Sequence, residues 1–216
     1  KEGVELIALE TASLDSVYAW REEQRDEPFE RVQVFPGKKF EDVTPAEMHL
    51  EVTRQLDRIA PDAVAIHTYS FPDSRACVAW CRRNRKGAVV MTDSKADDAE
   101  RSPVRELVKR TLLGAYDAAV TAGTRSRDYL EHLGFARDAI WLGYDVVDND
   151  YFAGRAADAT QPPAGIEAPY FLASNRFIAR KNLSMLLAAY EDYRAQSEHP
   201  WPLVMLGDGP LRAQLE

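Results

Sequence analysis

The sequence has few cysteines, few histidines and no excess of positive charge, and each shortage excludes a class of protein. Two cysteines and four histidines among 216 residues are too few for a disulfide scaffold or a Cys/His metal framework. The 35 acidic residues outnumber the 27 basic ones, and the net charge of −8 opposes binding to nucleic acid or to an anionic membrane by charge alone. We therefore expect reduced thiols, no Cys/His metal framework and no nucleic-acid partner.

Long apolar runs are also lacking. No stretch approaches the roughly 20 apolar residues of a transmembrane helix, and residues 1–5 (Lys-Glu-Gly-Val-Glu) do not resemble a signal peptide. Hydrophobic residues nevertheless make up 45% of the chain and charged residues 29%, which is typical of a globular protein. The sequence predicts a cytoplasmic protein without a transmembrane segment.

Short apolar runs rich in Val, Ile and Leu alternate with helical patterns, which favours an α/β protein with a mainly parallel sheet. Thr44-Pro45-Ala46-Glu47 supplies an N-cap, a first-turn proline and a glutamate three residues on, and so predicts a helix through Ile59. The predicted strands are residues 4–9, 31–35, 62–67, 88–92, 118–121, 139–142, 170–173 and 203–206.

Two further predicted helices carry apolar stripes at helical spacing. One follows Ser102-Pro103 and the other follows Asn182. We interpret both stripes as core faces. Their residues are Val104, Leu107, Val108, Thr111 and Leu112 in the first helix, and Leu183, Leu186, Leu187 and Tyr190 in the second.

Residues 156–169 interrupt the alternation, because they have three prolines and no apolar period, which is the composition of an interdomain linker. We therefore predict an N-terminal domain over residues 1–155, a linker over 156–169 and a second domain over 170–216. This second domain would hold only a strand, a helix, a strand and the opening of another helix. Such a parallel sheet is too narrow to cover itself, so the sequence predicts an incomplete second domain.

A polar loop with three cations follows the first strand of this second domain. Arg176, Arg180 and Lys181 precede the helix that is expected to begin at Asn182. Ligands of parallel α/β sheets bind at the carboxyl ends of the strands, where a helix N-terminus offers free N–H groups. Because Arg and Lys both bind phosphate, we interpret the loop as a phosphate clamp. The alternative is a set of ordinary surface cations.

The next strand is followed directly by Gly207-Asp208-Gly209-Pro210. Glycine lets the backbone approach a ligand, and Pro210 suits the first turn of a helix, although a tight turn explains the tetrapeptide equally well. Both loops would lie at the same edge of adjacent parallel strands. The sequence therefore predicts that they contribute to one site.

These motifs together resemble the start of the C-terminal domain of group 1 (family 4) glycosyltransferases. The resemblance lies in Arg176, in Lys181-Asn182 five residues later, in the Leu-Leu-x-Ala-Tyr helix and in Leu-Val-x-Leu-Gly-Asp-Gly-Pro. Residues 119–130 and 143–152 are similar to segments of the same family that precede the linker. The sequence departs from the family at Asn175, where glycine is usual, and at Asp93-Ser94, where a His-Asp pair is frequent.

The resemblance implies a GT-B fold, with two Rossmann-like domains and the active site in the cleft between them, and retaining transfer of a sugar from a nucleotide-diphosphate donor to an unknown acceptor. Arg176 and Lys181 then fall on the positions that neutralise the donor diphosphate, the catalytic role that a metal performs in other transferases, so neither metal nor cofactor is expected. The donor-binding candidates are Arg176, Lys181, Asn182, Gly207, Asp208 and Gly209. We expect this chain to lack the first strand of the N-terminal domain.

Polar residues at strand ends of the N-terminal domain are candidates for the acceptor side. His67 ends one predicted strand, and Asp93 and Ser94 follow the next. A histidine there can orient a hydroxyl, or it can simply cap the strand. Asp93 and Ser94 can contact the acceptor or form a helix-capping loop.

Two other functions stay open for this chain, which we expect to be an incomplete enzyme. One is a non-catalytic module that binds a nucleotide or a sugar phosphate. The other is a nucleotide-sugar epimerase of the same fold, which needs the donor but no acceptor.

Overall fold

The computed structural model describes residues 3–14, 28–158, 165–166 and 169–215. These residues form two compact units. The first unit contains residues 3–14 and 28–147, and the second contains the described residues from 148 to 215. Among the described residues, no helix combines the length and the apolar character that a membrane span requires.

The first unit has six strands, and every strand pairing is parallel. β1 pairs with β2, and a second sheet has the consecutive order β3-β4-β5-β6. This confirms the predicted α/β class with parallel sheets. The strands are β1 (Ile7–Leu14), β2 (Glu30–Lys39), β3 (Ala63–His67), β4 (Gly87–Thr92), β5 (Ala118–Thr121) and β6 (Ile140–Leu142). The helices are α1 (Pro45–Ile59), α2 (Pro72–Asn84), α3 (Pro103–Leu113) and α4 (Thr124–His132), with 3-10 turns at Phe40–Asp42 and Arg137–Ala139.

β1 lies further along the chain than the predicted strand at residues 4–9. The difference arises because polar residues of β1 have partners on β2 that sequence patterns do not show. Glu10 forms an ion pair with Arg31 and accepts a hydrogen bond from Gln33 Nε2 at 3.1 Å. These pairings satisfy the charge on Glu10, so the strand continues through it to Leu14.

α1 begins with the predicted capping box. The Thr44 side chain accepts a hydrogen bond from the Glu47 amide, and the Glu47 carboxylate accepts one from the Thr44 amide. Met48, Val52 and Leu56 recur along one face of the helix and are buried. This periodic face joins the core that α2 and the β3–β6 sheet complete.

α2 carries the two cysteines, and both are free thiols. Burial raises the pKa of Cys77 to about 12 and that of Cys81 to about 11. Raised values keep the thiols protonated at neutral pH, where they are weak nucleophiles.

α3 departs from its predicted packing. Val104, Leu107 and Val108 are 71%, 65% and 53% exposed, whereas only Leu113 at the end of the helix is buried. The interpretation of this stripe as a core face was therefore wrong for Val104, Leu107 and Val108, whereas Leu112 is half-buried and packs against the core. Periodicity shows that the helix has an apolar face, but it does not show what covers that face.

The second unit contains α5 (Asn149–Asp158), β7 (Phe171–Ser174), α6 (Leu183–Gln196), β8 (Leu203–Leu206) and α7 (Arg212–Leu215). β7 and β8 are parallel neighbours. On α6, Leu183 is buried, and Leu186, Leu187 and Tyr190 are half-buried. The Tyr190 hydroxyl donates to the Trp201 carbonyl and accepts from the Leu203 amide, each at 3.1 Å. The apolar stripe of α6 thus packs inward, as predicted.

The predicted linker at residues 156–169 falls largely outside the described residues, because 159–164 and 167–168 are not described. Residues 156–158 continue α5. The domain limits given above from the sequence stay a prediction.

Candidate functional site

The loop that carries Arg176 and Lys181 and the loop that carries Gly207 and Gly209 lie side by side at the carboxyl ends of β7 and β8. We call them together the clamp loops. The Asn175 amide donates to the Leu206 carbonyl at 3.0 Å, and the Phe177 amide donates to the Asp208 carbonyl at 2.8 Å. The Leu211 amide returns a bond to the Phe177 carbonyl at 3.0 Å. The β7–β8 pairing therefore extends beyond the strands and fixes both loops at one edge of the sheet.

Gly207 and Gly209 are needed for this close approach. Their φ angles are +156° and +151°, and a Cβ atom on Gly207 would lie 1.8 Å from the Asn175 carbonyl oxygen. A Cβ atom on Gly209 would lie 2.7 Å from the Phe177 carbonyl oxygen. The structure thus gives both glycines a packing role between the loops. Their role in binding a donor stays a prediction.

The cations of the clamp differ in how tightly their backbone is held. Arg176 is half-buried and lies between Asn175 and the buried Phe177, both of which are bonded to the neighbouring loop. Arg180 and Lys181 are exposed and belong to a 3-10 turn, Ala179–Lys181, just before α6. The structure therefore places Arg176 and Lys181 on one short, hydrogen-bonded loop, where their phosphate role is still predicted.

Asn182 occupies the N-cap position of α6 with a left-handed backbone, φ +48°. Its side chain makes no capping hydrogen bond to the helix. Instead the side-chain Nδ2 of Asn182 contacts Met185 Sδ at 3.4 Å. The backbone carbonyl of Asn182 accepts a hydrogen bond from the Met185 amide at 3.1 Å. Asn182 therefore starts the helix through its backbone.

Asp208, another predicted donor-binding residue, is engaged locally. Its carboxylate accepts a hydrogen bond from the Gly209 amide at 2.8 Å and lies 3.8 Å from the guanidinium of Arg212. Both contacts hold the carboxylate within its own turn.

In the first unit, His67 ends β3 as predicted, and it lies beside a carboxylate that our sequence analysis missed. Asp73, in the first turn of α2, is 3% exposed. Its Oδ2 accepts from Thr11 Oγ1 at 2.9 Å and lies 3.5 Å from His67 Nε2. The available signal was an aspartate directly after a first-turn proline, Pro72, where the helix dipole favours an anion.

Asp93 and Ser94 directly follow β4, as predicted. The Asp93 carbonyl accepts from Ser126 Oγ at 2.9 Å, and the Ser94 amide donates to Thr92 Oγ1 at 3.2 Å. These bonds fix the backbone of the loop and leave the function of the two side chains a prediction.

Arg101 binds the part of this loop that follows Ser94. Its guanidinium donates to the carbonyls of Lys95 and Ala96 and to the Tyr129 hydroxyl, and it lies over the Tyr129 ring with the carbon of the guanidinium 4.5 Å from the ring centroid. The loop that carries Asp93 and Ser94 is therefore tied to α4.

Glu106 and Lys109 of α3 complete this network. Lys109 Nζ lies 2.7 Å from the Tyr129 hydroxyl and 3.0 Å from a Glu106 carboxylate oxygen. Partial burial raises the pKa of Glu106. Hydrogen bonds from Lys109 and Tyr129 lower it, and together they hold the pKa of Glu106 below its usual value. The ionised carboxylate is thus the favoured form at neutral pH.

Among the described residues, no three His, Cys, Asp or Glu side chains are grouped so that they could hold a metal ion. The expectation that the reaction needs no metal stays a prediction.

Comparison with known proteins shows similarity in structure but not in sequence. No protein-family model matches this sequence, and no curated protein is significantly similar to it. UDP-N-acetylglucosamine 2-epimerase from Rickettsia bellii matches with a TM-score of 0.55 and 17% identity, over 88% of this chain and 50% of that one. UDP-GlcNAc 2-epimerase from Neisseria meningitidis, bound to UDP-GlcNAc, matches with a TM-score of 0.56 and 14% identity, over 82% of this chain and 53% of that one.

At these identities the likeness shows the fold alone. The fold is of the GT-B type, with Rossmann-like α/β units and parallel sheets, which confirms the predicted fold class. This chain spans about half the length of the structures that it matches. Membership of the family 4 glycosyltransferases stays a prediction.

Proposed function

We infer that this protein is an enzyme that acts on a nucleotide-diphosphate sugar, and that the clamp loops of its second unit bind the donor diphosphate. The supporting observation is the bonded pair of loops at the carboxyl ends of β7 and β8, which carries Arg176 and Lys181. Parallel α/β sheets bind ligands at this edge. The Arg guanidinium can grip a phosphate through two parallel N–H bonds, and the Lys ammonium adds a point charge.

The reaction that we propose is transfer of the sugar, with retention of its anomeric configuration, to an acceptor. As the bond to the sugar breaks, negative charge grows on the departing nucleotide diphosphate. Arg176 and Lys181 stabilise that charge, and no metal is then required for it. In this proposal His67, Asp93 and Ser94 of the first unit serve the acceptor.

Epimerisation of the donor sugar is the second candidate. It is favoured by the two structures named above, since both are UDP-GlcNAc 2-epimerases and one of them holds UDP-GlcNAc. An epimerase needs the same clamp but no acceptor. A module that binds the nucleotide sugar without converting it would need the clamp alone.

Calorimetric titration with UDP-GlcNAc, UDP, ADP and GDP tests the clamp. We expect Arg176→Ala and Lys181→Ala each to weaken binding of the preferred nucleotide roughly tenfold to a hundredfold, because each removes a charge-assisted hydrogen bond of about 1.5–3 kcal/mol. Arg180→Ala is the matched control, since Arg180 precedes Lys181 in the same exposed turn, and should change binding less than threefold. Equal small effects in all three variants would contradict the clamp.

Product analysis on the native full-length protein separates the reactions. Release of UDP that depends on an added acceptor supports transfer, whereas conversion of UDP-GlcNAc to its C2 epimer without an acceptor supports epimerisation. Tight binding of the nucleotide sugar without either product would support the non-catalytic binding module. For a transferase, Arg176→Ala should slow single-turnover transfer more than it weakens donor binding, because the leaving-group charge is largest in the transition state.

A further inference from the structure

We propose that Asp73 is the positioning residue of His67: its buried carboxylate holds the imidazole in the Nε2–H tautomer, which leaves Nδ1 as the hydrogen-bond acceptor for a ligand hydroxyl. The assignment of His67 to the acceptor side rests on the proposed function. The proposed tautomer depends on the local geometry and not on that function.

The carboxylate of Asp73 is nearly inaccessible to water, with 4% of its side chain exposed. A buried anion is costly unless donors surround it. Asp73 Oδ1 accepts from the Ser74 amide at 2.8 Å, and Oδ2 accepts from Thr11 Oγ1 at 2.9 Å. With the positive end of the α2 dipole beside it, Asp73 is held as an acceptor whose orientation is fixed.

The His67 ring is presented to this fixed acceptor. Its Nε2 is 3.5 Å from Asp73 Oδ2, while half of the side chain is exposed. A carboxylate only accepts hydrogen bonds, so the nitrogen beside it carries the proton. The other nitrogen, Nδ1, then keeps its lone pair and is the acceptor that the ring offers.

The backbone beside His67 is held in a strained form, which supports a functional role. Thr68 has φ +53°, a left-handed conformation that is rare for a β-branched residue. The Thr68 amide donates to the Met91 carbonyl at 2.8 Å, and Ser74 Oγ donates to the His67 carbonyl at 2.8 Å. The first of these bonds continues the β3–β4 ladder, and the second ties the His67 carbonyl to α2, so the backbone that carries the imidazole is fixed.

Long-range ¹H–¹⁵N NMR of the imidazoles, recorded where the rings are neutral, tests the proposal. The chain has four histidines, and His67→Gln assigns the signal. We expect His67 to show protonated Nε2 and unprotonated Nδ1. In Asp73→Asn the Ser74 amide retains the side-chain oxygen, so the NH2 group faces His67, and the ring should switch to the Nδ1–H tautomer.

Thr11→Val is the matched control, because it removes a neighbouring donor to Asp73 but keeps the carboxylate. It should leave the Nε2–H tautomer of His67 unchanged. Protonated Nδ1 in the wild-type protein, or the same tautomer in the wild type and Asp73→Asn, would overturn the proposal. The wild-type spectrum decides even where the variant does not fold.

Kinetics on the full-length protein give the second readout. Asp73→Asn should lower kcat at least about tenfold while the donor KM changes less than twofold. If the protein bound no nucleotide but His67 showed the expected tautomers, the proposed function would be rejected and the positioning role of Asp73 would stand. Nucleotide binding with an unaltered kcat in Asp73→Asn would reject the positioning role alone.

Discussion

The two units are stabilised in different ways. All but two of the buried hydrophobic residues that the structure describes belong to the first unit, and the exceptions are Phe177 and Leu183. The buried polar residues, Asp73 among them, also lie in the first unit. In the second unit Leu183 is buried and the half-buried residues of α6 pack inward, and backbone bonds join the two loops, one of which carries the proposed ligand-binding cations. Burial thus dominates in the first unit, whereas in the second unit backbone bonds between loops hold the part that we propose binds the donor.

The largest predicted effect is on the second unit. Gly207→Ala should destabilise it by about 3–5 kcal/mol, because the added Cβ would lie 1.8 Å from a backbone oxygen at a positive φ. Hydrogen exchange should show faster exchange of the β7 and β8 amides and unchanged protection in β3–β5.

Gly154→Ala is the control for that experiment. Gly154 lies in α5 of the same unit, and a Cβ there meets nothing within 4 Å. The change should stabilise the helix by about 0.5–1 kcal/mol. If Gly207→Ala were equally harmless, the loops would not be paired as described, and the contrast between the units would be lost.

The second prediction concerns the first unit. Leu130 is completely buried, so Leu130→Ala should lower the free energy of unfolding by about 2–5 kcal/mol. Leu107→Ala, on the exposed stripe of α3, should change it by less than about 0.5 kcal/mol. Denaturant titration of both variants provides the measurement. A cost of several kcal/mol for Leu107→Ala would show that the stripe is covered in solution.

The fold was largely predictable because strands and helices are encoded locally. All eight predicted strands occur, and the capping box at Thr44 fixed the start of α1. Partners that are distant in sequence were not predictable. The exposure of Leu107 depends on whether another element covers α3, and the extension of β1 depends on pairing with β2.

The candidate site was predictable to a smaller extent. The adjacency of the two clamp loops follows from the order of parallel strands, but the packing role of Gly207 requires the position of Asn175. The role of Asp73 was missed because Asp73 and its partner Thr11 are separated by 62 positions in the sequence. A carboxylate that is normally solvated gives no local sign that it is buried.

The smallest predicted effect concerns charge in the first unit. Glu106→Gln should lower the free energy of unfolding at pH 7 by about 1–2 kcal/mol, because Glu106 binds both Lys109 and Tyr129. Glu51→Gln is the control, since its partner Arg54 lies on the surface of the same helix, and should cost less than about 0.5 kcal/mol.

The pH dependence separates an ionic effect from a packing effect at Glu106. Its pKa lies below the usual 4.5 in the folded protein, so its contribution is complete above pH 4.5 and is lost as the pH falls through the folded value. The pKa of Lys109 is raised above 10.5, although burial opposes this, by hydrogen bonds to Tyr129 and Glu106. The contribution of the Lys109 charge to stability is complete below pH 10.5 and is lost at higher pH.

Urea titrations measure this dependence. The free energy of unfolding should differ between the wild type and Glu106→Gln by a constant amount from about pH 5 to 10, and by a smaller amount below pH 4. A difference that persists unchanged into acid would mean that Glu106 stabilises the first unit by its shape, so that even its polar network acts as packing.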